Sequence, residues 1–175
     1  MKNLILLFVI AAVATLFSCN KDTIAPESEV FVGFQYDGVS YLTPQLKIEA
    51  LGEVSPGLYE YDIILLSEGI TIEQSVEGEK GYFLQMKVNS THAEILNTGV
   101  YEFSETDQDG AFKEGLAVLD FETPATFGQV IQIVEGGLSV TEMHGKIEVM
   151  YTLETVDGKQ ITGLYTDFLD RWRVY

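Results

Sequence analysis

The sequence predicts an all-β fold, an antiparallel β-sandwich, on three observations. From Val30 onward apolar and polar residues alternate with a period of two. The alternating runs are short and separated by turn residues, with Asp37-Gly38 and Asp157-Gly158 as hairpin signals. Helical spacing is sustained nowhere in that region for three turns. Composition bounds the rest. The chain has 175 residues, 46% of them apolar, which suits one domain with a substantial core and argues against intrinsic disorder. Ten Lys and Arg stand against 27 Asp and Glu, a formal net charge of −17. That excess speaks against nucleic acid, whose phosphates need basic partners, and against electrostatic recruitment to anionic lipid.

The first element is a leader over residues 1–18. Lys2 forms a positive n-region, and Leu4 to Leu16 is an apolar and small-residue run of 13 residues. A transmembrane helix needs about 20, so the run reads as a signal peptide. Leu16-Phe17-Ser18-Cys19 resembles a bacterial lipobox, with Phe17 bulkier than the residue usual at its place. The resemblance implies that Cys19 carries a diacylglyceryl thioether, with cleavage before it and acylation of its new amine. Cys19 is the one cysteine of the chain, so disulfides and thiolate metal sites are excluded. Two or more acyl chains anchor stably, at about 0.8 kcal/mol per buried CH₂, and the membrane is then a partner through this lipid.

Residues 19–29 are mostly polar and aperiodic and read as a flexible tether. Lys21-Asp22 is similar to the surface-export signal of Bacteroidota-type lipoproteins, and Asp22-Thr23-Ile24 resembles their O-glycosylation site. The resemblance implies an outer-membrane lipoprotein, surface-exposed in preference to periplasm-facing.

Residues 30–175 read as a single β domain. Val30, Val32, Phe34 and Tyr36 share one face of the first strand, and Asp37-Gly38 turns the chain into Val39 to Leu42. Leu46, Ile48 and Ala50 alternate with Gln45, Lys47 and Glu49. Leu58 to Leu66 is apolar on both faces apart from Glu60 and Asp62, as a central strand requires. Ile70 and Ile72 alternate with Thr71 and Glu73, and Tyr82, Leu84, Met86 and Val88 oppose Gln85, Lys87 and Asn89. Ser90 to Leu96 has room for one short helical turn. Ile147, Val149, Tyr151 and Leu153 oppose Lys146, Glu148, Thr152 and Glu154, and Asp157-Gly158 leads into Gln160 to Tyr165.

The alternative to a sandwich is a closed, calycin or lipocalin-like barrel with a cavity for an apolar ligand. Lipocalins usually carry Gly-x-Trp in the first strand, where this chain has Gly33-Phe34-Gln35, and the lone tryptophan is Trp172. The sandwich is therefore preferred. Gly99-Val100-Tyr101-Glu102-Phe103 and Asp157 to Tyr165 resemble segments of small uncharacterised lipoproteins of the Bacteroidota group. That resemblance implies no catalytic residue.

Two clusters invite a chemical reading. Glu102, Glu105, Asp107, Asp109 and Glu114 lie within 13 residues around Gly110. Glu105, Asp107, Asp109 and Gly110 mimic the start of an EF-hand loop, but Leu116 stands where a bidentate Glu is required. The expectation is a solvated hairpin tip and no dedicated metal, with Asp107 and Asp109 as weak candidates for a cation. Arg171 and Arg173 are the only arginines and flank Trp172. On a strand both guanidinium groups share one face. Trp172 then plugs the core, or stacks on a sugar while Arg171 and Arg173 hold an anionic ligand. His92 and His144 have plain contexts that read as surface or turn, and the chain holds no nucleophile elbow, His-Glu-x-x-His helix or phosphate loop. The tyrosines at 59, 61, 82, 101, 151 and 165 sit in strand patterns that read as core and cross-strand packing.

The expectation is thus a lipid-anchored cell-envelope β-domain, not an enzyme and without a cofactor, acting as a binding module for a glycan or protein partner. The alternative is a calycin-like carrier of a small apolar molecule.

Overall fold

The computed structural model describes residues 31–70, 80–122 and 128–168, all within the unit Phe31–Tyr175. The predicted leader, Cys19, the tether and the alternation from Thr71 to Glu73 lie outside the described residues. So do Arg171, Trp172 and Arg173.

The described residues are all-β. Ten strands run as β1 (Gly33–Tyr36), β2 (Val39–Leu42), β3 (Gln45–Ser55), β4 (Leu58–Leu66), β5 (Lys80–Ser90), β6 (Gly99–Phe103), β7 (Ala111–Glu122), β8 (Gln129–Met143), β9 (Lys146–Thr155) and β10 (Gln160–Phe168). The two Asp-Gly dipeptides turn where expected. Asp37 and Gly38 have φ of 51° and 77°, the pair of positive values that a type I′ hairpin turn demands.

The strands form one sheet in the order β2-β1-β10-β9-β8-β6-β7-β5-β4-β3, with β8 also paired to β7. Its two ends, β2 and β3, do not pair with each other, so the ladder is not a closed barrel and the calycin alternative is corrected. The sheet is also mixed. β7 pairs with β8 through Gly115–Leu119, and β6 pairs with β8 through Gly99–Glu102. Both are antiparallel to β8 on the same flank, so they run parallel to each other where they meet at Glu102–Ala111 and Phe103–Phe112. The segment between them is therefore a connection between parallel strands and not the expected hairpin tip.

Alternation puts one face of the sheet into the core. On β9, Ile147, Val149, Tyr151 and Leu153 are buried between exposed Lys146, Met150, Thr152 and Glu154. Residues from β1 and from β3 through β10 join one buried cluster, each large aliphatic side chain contributing about 1.5–3 kcal/mol by leaving water. Phe34 of β1 stacks on Tyr41 of β2 at 4.9 Å, and Tyr82 of β5 meets both edge-on at 6.2 Å and 5.0 Å. These strands are far apart in the sheet order, so the sheet curls to bring its ends over a common core.

The helical turn expected between Ser90 and Leu96 is absent. Ser90 Oγ accepts the N–H of Asn97 and Leu96 is buried, so a side-chain bond and an apolar anchor replace the helical ladder.

Candidate functional site

The outer face of the sheet is interrupted where β8 changes partner. Its register shifts between Ile133 and Glu135 opposite β9, and Gly136 follows with φ of 115°. A side chain on Gly136 would lie 2.3 Å from the Thr152 carbonyl oxygen, so this bend requires glycine. Before the bulge β8 is bordered by β7, and beyond it by β6.

An open groove of about 760 Å³ lies over the strands beyond the bulge, lined by β6, β8, β9 and β10. Register explains its chemistry. Val100 faces Ser139, Ser139 faces Met150, and Met150 faces Leu164. The result is one cross-strand row of largely apolar side chains on the solvent side. Val100 on β6 is 65% exposed and Met150 on β9 46%, so two large apolar side chains of one cross-strand row stand in solvent on either side of Ser139. The next row reads Glu102, Gly137, Thr152 and Thr162. Among the described residues that line the groove, Glu102 and Glu135 carry charge, and there is no Lys, Arg or His. A further hollow of about 580 Å³ shares Val100 and Ser139 and extends to Thr98 and Glu142.

On the other side of the bulge lies a hollow of about 350 Å³ lined by residues that include Gln85, Lys87, Glu114 and Val134. Beside it, Glu49, Asp62, Lys87 and Glu114 stand opposite one another across β3, β4, β5 and β7. Asp62 is buried, and Gln85 Nε2 donates to its Oδ2 at 2.6 Å. Burial raises the Asp62 carboxyl above the ordinary carboxylate value, against the pull of Gln85 and Lys87. Lys87 bonds Glu114 at 2.7 Å, and that bond holds its ammonium above the ordinary lysine value. Asp62 lines none of these three hollows, although its partner Gln85 lines the smallest of them.

The predicted candidates separate. Asp107 and Asp109 are exposed on the connection between β6 and β7. Lys113 Nζ lies 3.0 Å from Asp107 Oδ1 and donates to the Glu105 carbonyl at 2.8 Å, so an ammonium already occupies the place a cation would take. The described residues bring no three metal-ligating side chains together. His92 and His144 are exposed, the second at the β8–β9 turn. Arg171, Trp172 and Arg173 lie outside the described residues, as does Cys19.

The tyrosines serve packing. Tyr61, Tyr101, Tyr151 and Tyr165 are buried. Tyr61 donates to the His92 carbonyl, Tyr101 to that of Asn97 at 2.7 Å, and Tyr151 to that of Gly33 at 3.1 Å. Burial pushes the Tyr101 hydroxyl up to about 12, so it remains a protonated hydrogen-bond donor at neutral pH.

Val100, Ser139, Met150 and Leu164 of the groove are absent from the sequence-level candidates, and Glu102 entered them only as a member of the acidic cluster. Met150 is the signal that could have found them, because it is apolar at a position where Lys146, Glu148, Thr152 and Glu154 mark the wet face of β9. No family model matches this chain, and no curated protein and no solved structure matches it either.

Proposed function

We propose that this protein is a lipid-anchored binding module of the cell envelope, non-enzymatic, that presents the outer-face groove of its β domain to a glycan or protein partner. The groove over β6, β8, β9 and β10 carries this reading. It is concave, open to solvent, and floored by a row in which apolar Val100 and Met150 stand exposed. We read the curled sheet as a sandwich whose two halves share a filled core, which favours recognition at the surface over carriage of a ligand within. Lipidation of Cys19 tethers the domain at the outer membrane, on its surface side, and the acidic charge keeps it from sticking nonspecifically.

A glycan array and a peptide array, probed with the full chain, test this function. Ser139→Arg fills the middle of the groove, while Val54→Arg alters an exposed position on β3. The expected outcome is that Ser139→Arg loses the binders that wild type and Val54→Arg share. Binders that survive Ser139→Arg contradict the groove as the site.

A further inference from the structure

We infer that the groove takes an extended polypeptide segment in which apolar side chains alternate with Lys or Arg. This inference rests on the groove being the recognition surface and adds the chemistry of its occupant. Three observations select that chemistry.

The first is the floor. Val100, Met150 and Leu164 lie in one cross-strand row with Ser139 between the first two. Adjacent strands are about 4.8 Å apart, so four strands present roughly 14 Å of row, the length of about four residues of extended chain. All three apolar side chains are aliphatic or thioether. Such surfaces adapt to apolar side chains of varied shape, whereas sugar rings are held best on flat exposed aromatic faces. The aromatic residues lining the groove are Phe103, half-buried, and Tyr151, buried.

The second observation is charge. Glu102 and Glu135 line the groove without a base among its described lining residues, and Glu142 lines the hollow that continues it. Lys146, on the same outer face of β9, lies over the Phe168 ring at 4.9 Å. Across a chain of net charge −17, an occupant rich in Lys or Arg is attracted and an acidic one repelled. The third is the alternation itself. In an extended segment successive side chains point to opposite sides, so apolar groups can face the row while basic ones reach toward the carboxylates at its rim.

The test uses the full chain and a fluorescein-labelled heptapeptide, Lys-Leu-Lys-Val-Lys-Leu-Lys, by fluorescence anisotropy. Two comparison peptides replace every Lys by Glu, or every apolar residue by Ser. The expected result is saturable binding of the first peptide that weakens with salt, and at least tenfold weaker binding of either comparison peptide. Met150→Lys and Val100→Lys, both at exposed positions, each weaken binding at least tenfold. Glu102→Gln combined with Glu135→Gln weakens it and flattens its salt dependence. Equal binding of the Lys-Ser peptide overturns the inference, since charge alone then suffices. Equal binding of the Glu peptide that Met150→Lys abolishes overturns the basic occupant but leaves the groove as the recognition surface. A glycan that binds at the groove where the Lys-Leu peptide does not also overturns it. Binding untouched by Met150→Lys and Val100→Lys removes the groove reading as well.

Discussion

Tyr82 on β5 accepts a hydrogen bond from the backbone N–H of Leu42 on β2 at 3.0 Å, although several strands separate β5 from β2 in the sheet order. The same ring packs edge-on against Phe34 and Tyr41. One side chain therefore joins the end of the sheet to its other half, where no backbone ladder closes the gap. Tyr82→Phe keeps the packing and loses the bond, with an expected cost of about 1 kcal/mol. Tyr82→Ala loses both, at about 3–5 kcal/mol. Urea unfolding of the two variants measures the difference.

Gly163 and Tyr151 form a second constraint, now inside the core. A Cβ on Gly163 would lie 2.4 Å from the Tyr151 hydroxyl and 2.3 Å from the Gly33 carbonyl oxygen. Gly163→Ala should destabilise the fold by about 3 kcal/mol. Tyr151→Phe removes the hydrogen bond to Gly33 and should cost about 1–3 kcal/mol. The double variant should not recover stability, because the Gly33 backbone clash persists when the hydroxyl is gone. Thermal melts of the three variants check this order.

Asp62 makes stability depend on pH in a stated direction. Burial raises its folded-state value above that of the unfolded chain, so the folded form holds the proton more tightly. The fold therefore loses stability from this group as pH rises from the ordinary carboxylate value through the raised one. Asp62→Asn should remove that slope, and its stability relative to wild type should be more favourable at pH 7 than at pH 3. Denaturant midpoints across that range decide it.

Lys113 pairs with Asp107 in the acidic connection. Because its ammonium already bridges Asp107 and the Glu105 carbonyl, calcium titration should give no binding tighter than millimolar, followed by calorimetry. Lys113→Gln vacates that place and should strengthen calcium binding. A micromolar site in wild type would contradict the ion pair's role.

Cys19→Ala should leave the chain without incorporated palmitate and release it from membranes. Metabolic labelling with fractionation reads both, and a label that persists in the variant refutes lipidation at Cys19.

Much of the fold was legible because one-face burial writes itself into a strand as period two. β4 carries the bounds Leu58–Leu66 that its apolar run predicts, and β9 alternates as read. β7 and β8 escaped. Gly115 interrupts the first, and Gly136-Gly137 with a register shift break the phase of the second, so neither shows unbroken alternation. The parallel contact of β6 with β7 was equally hidden, since it follows from two strands sharing one flank of β8 and not from any local pattern. The groove depends on that same sharing. Val100, Met150 and Leu164 come from three different strands, and nothing in their spacing along the chain brings them to one row.

Methyl NMR of the full chain, titrated with the strongest binder from the glycan and peptide screens, tests most directly whether recognition happens on the outer face. Saturable shifts at the methyls of Met150, Val100 and Leu164, with the core methyls of Ile63 and Leu84 unmoved, are expected. Shifts centred on Ile63 and Leu84 would place the ligand inside the sheet and contradict a surface-binding module.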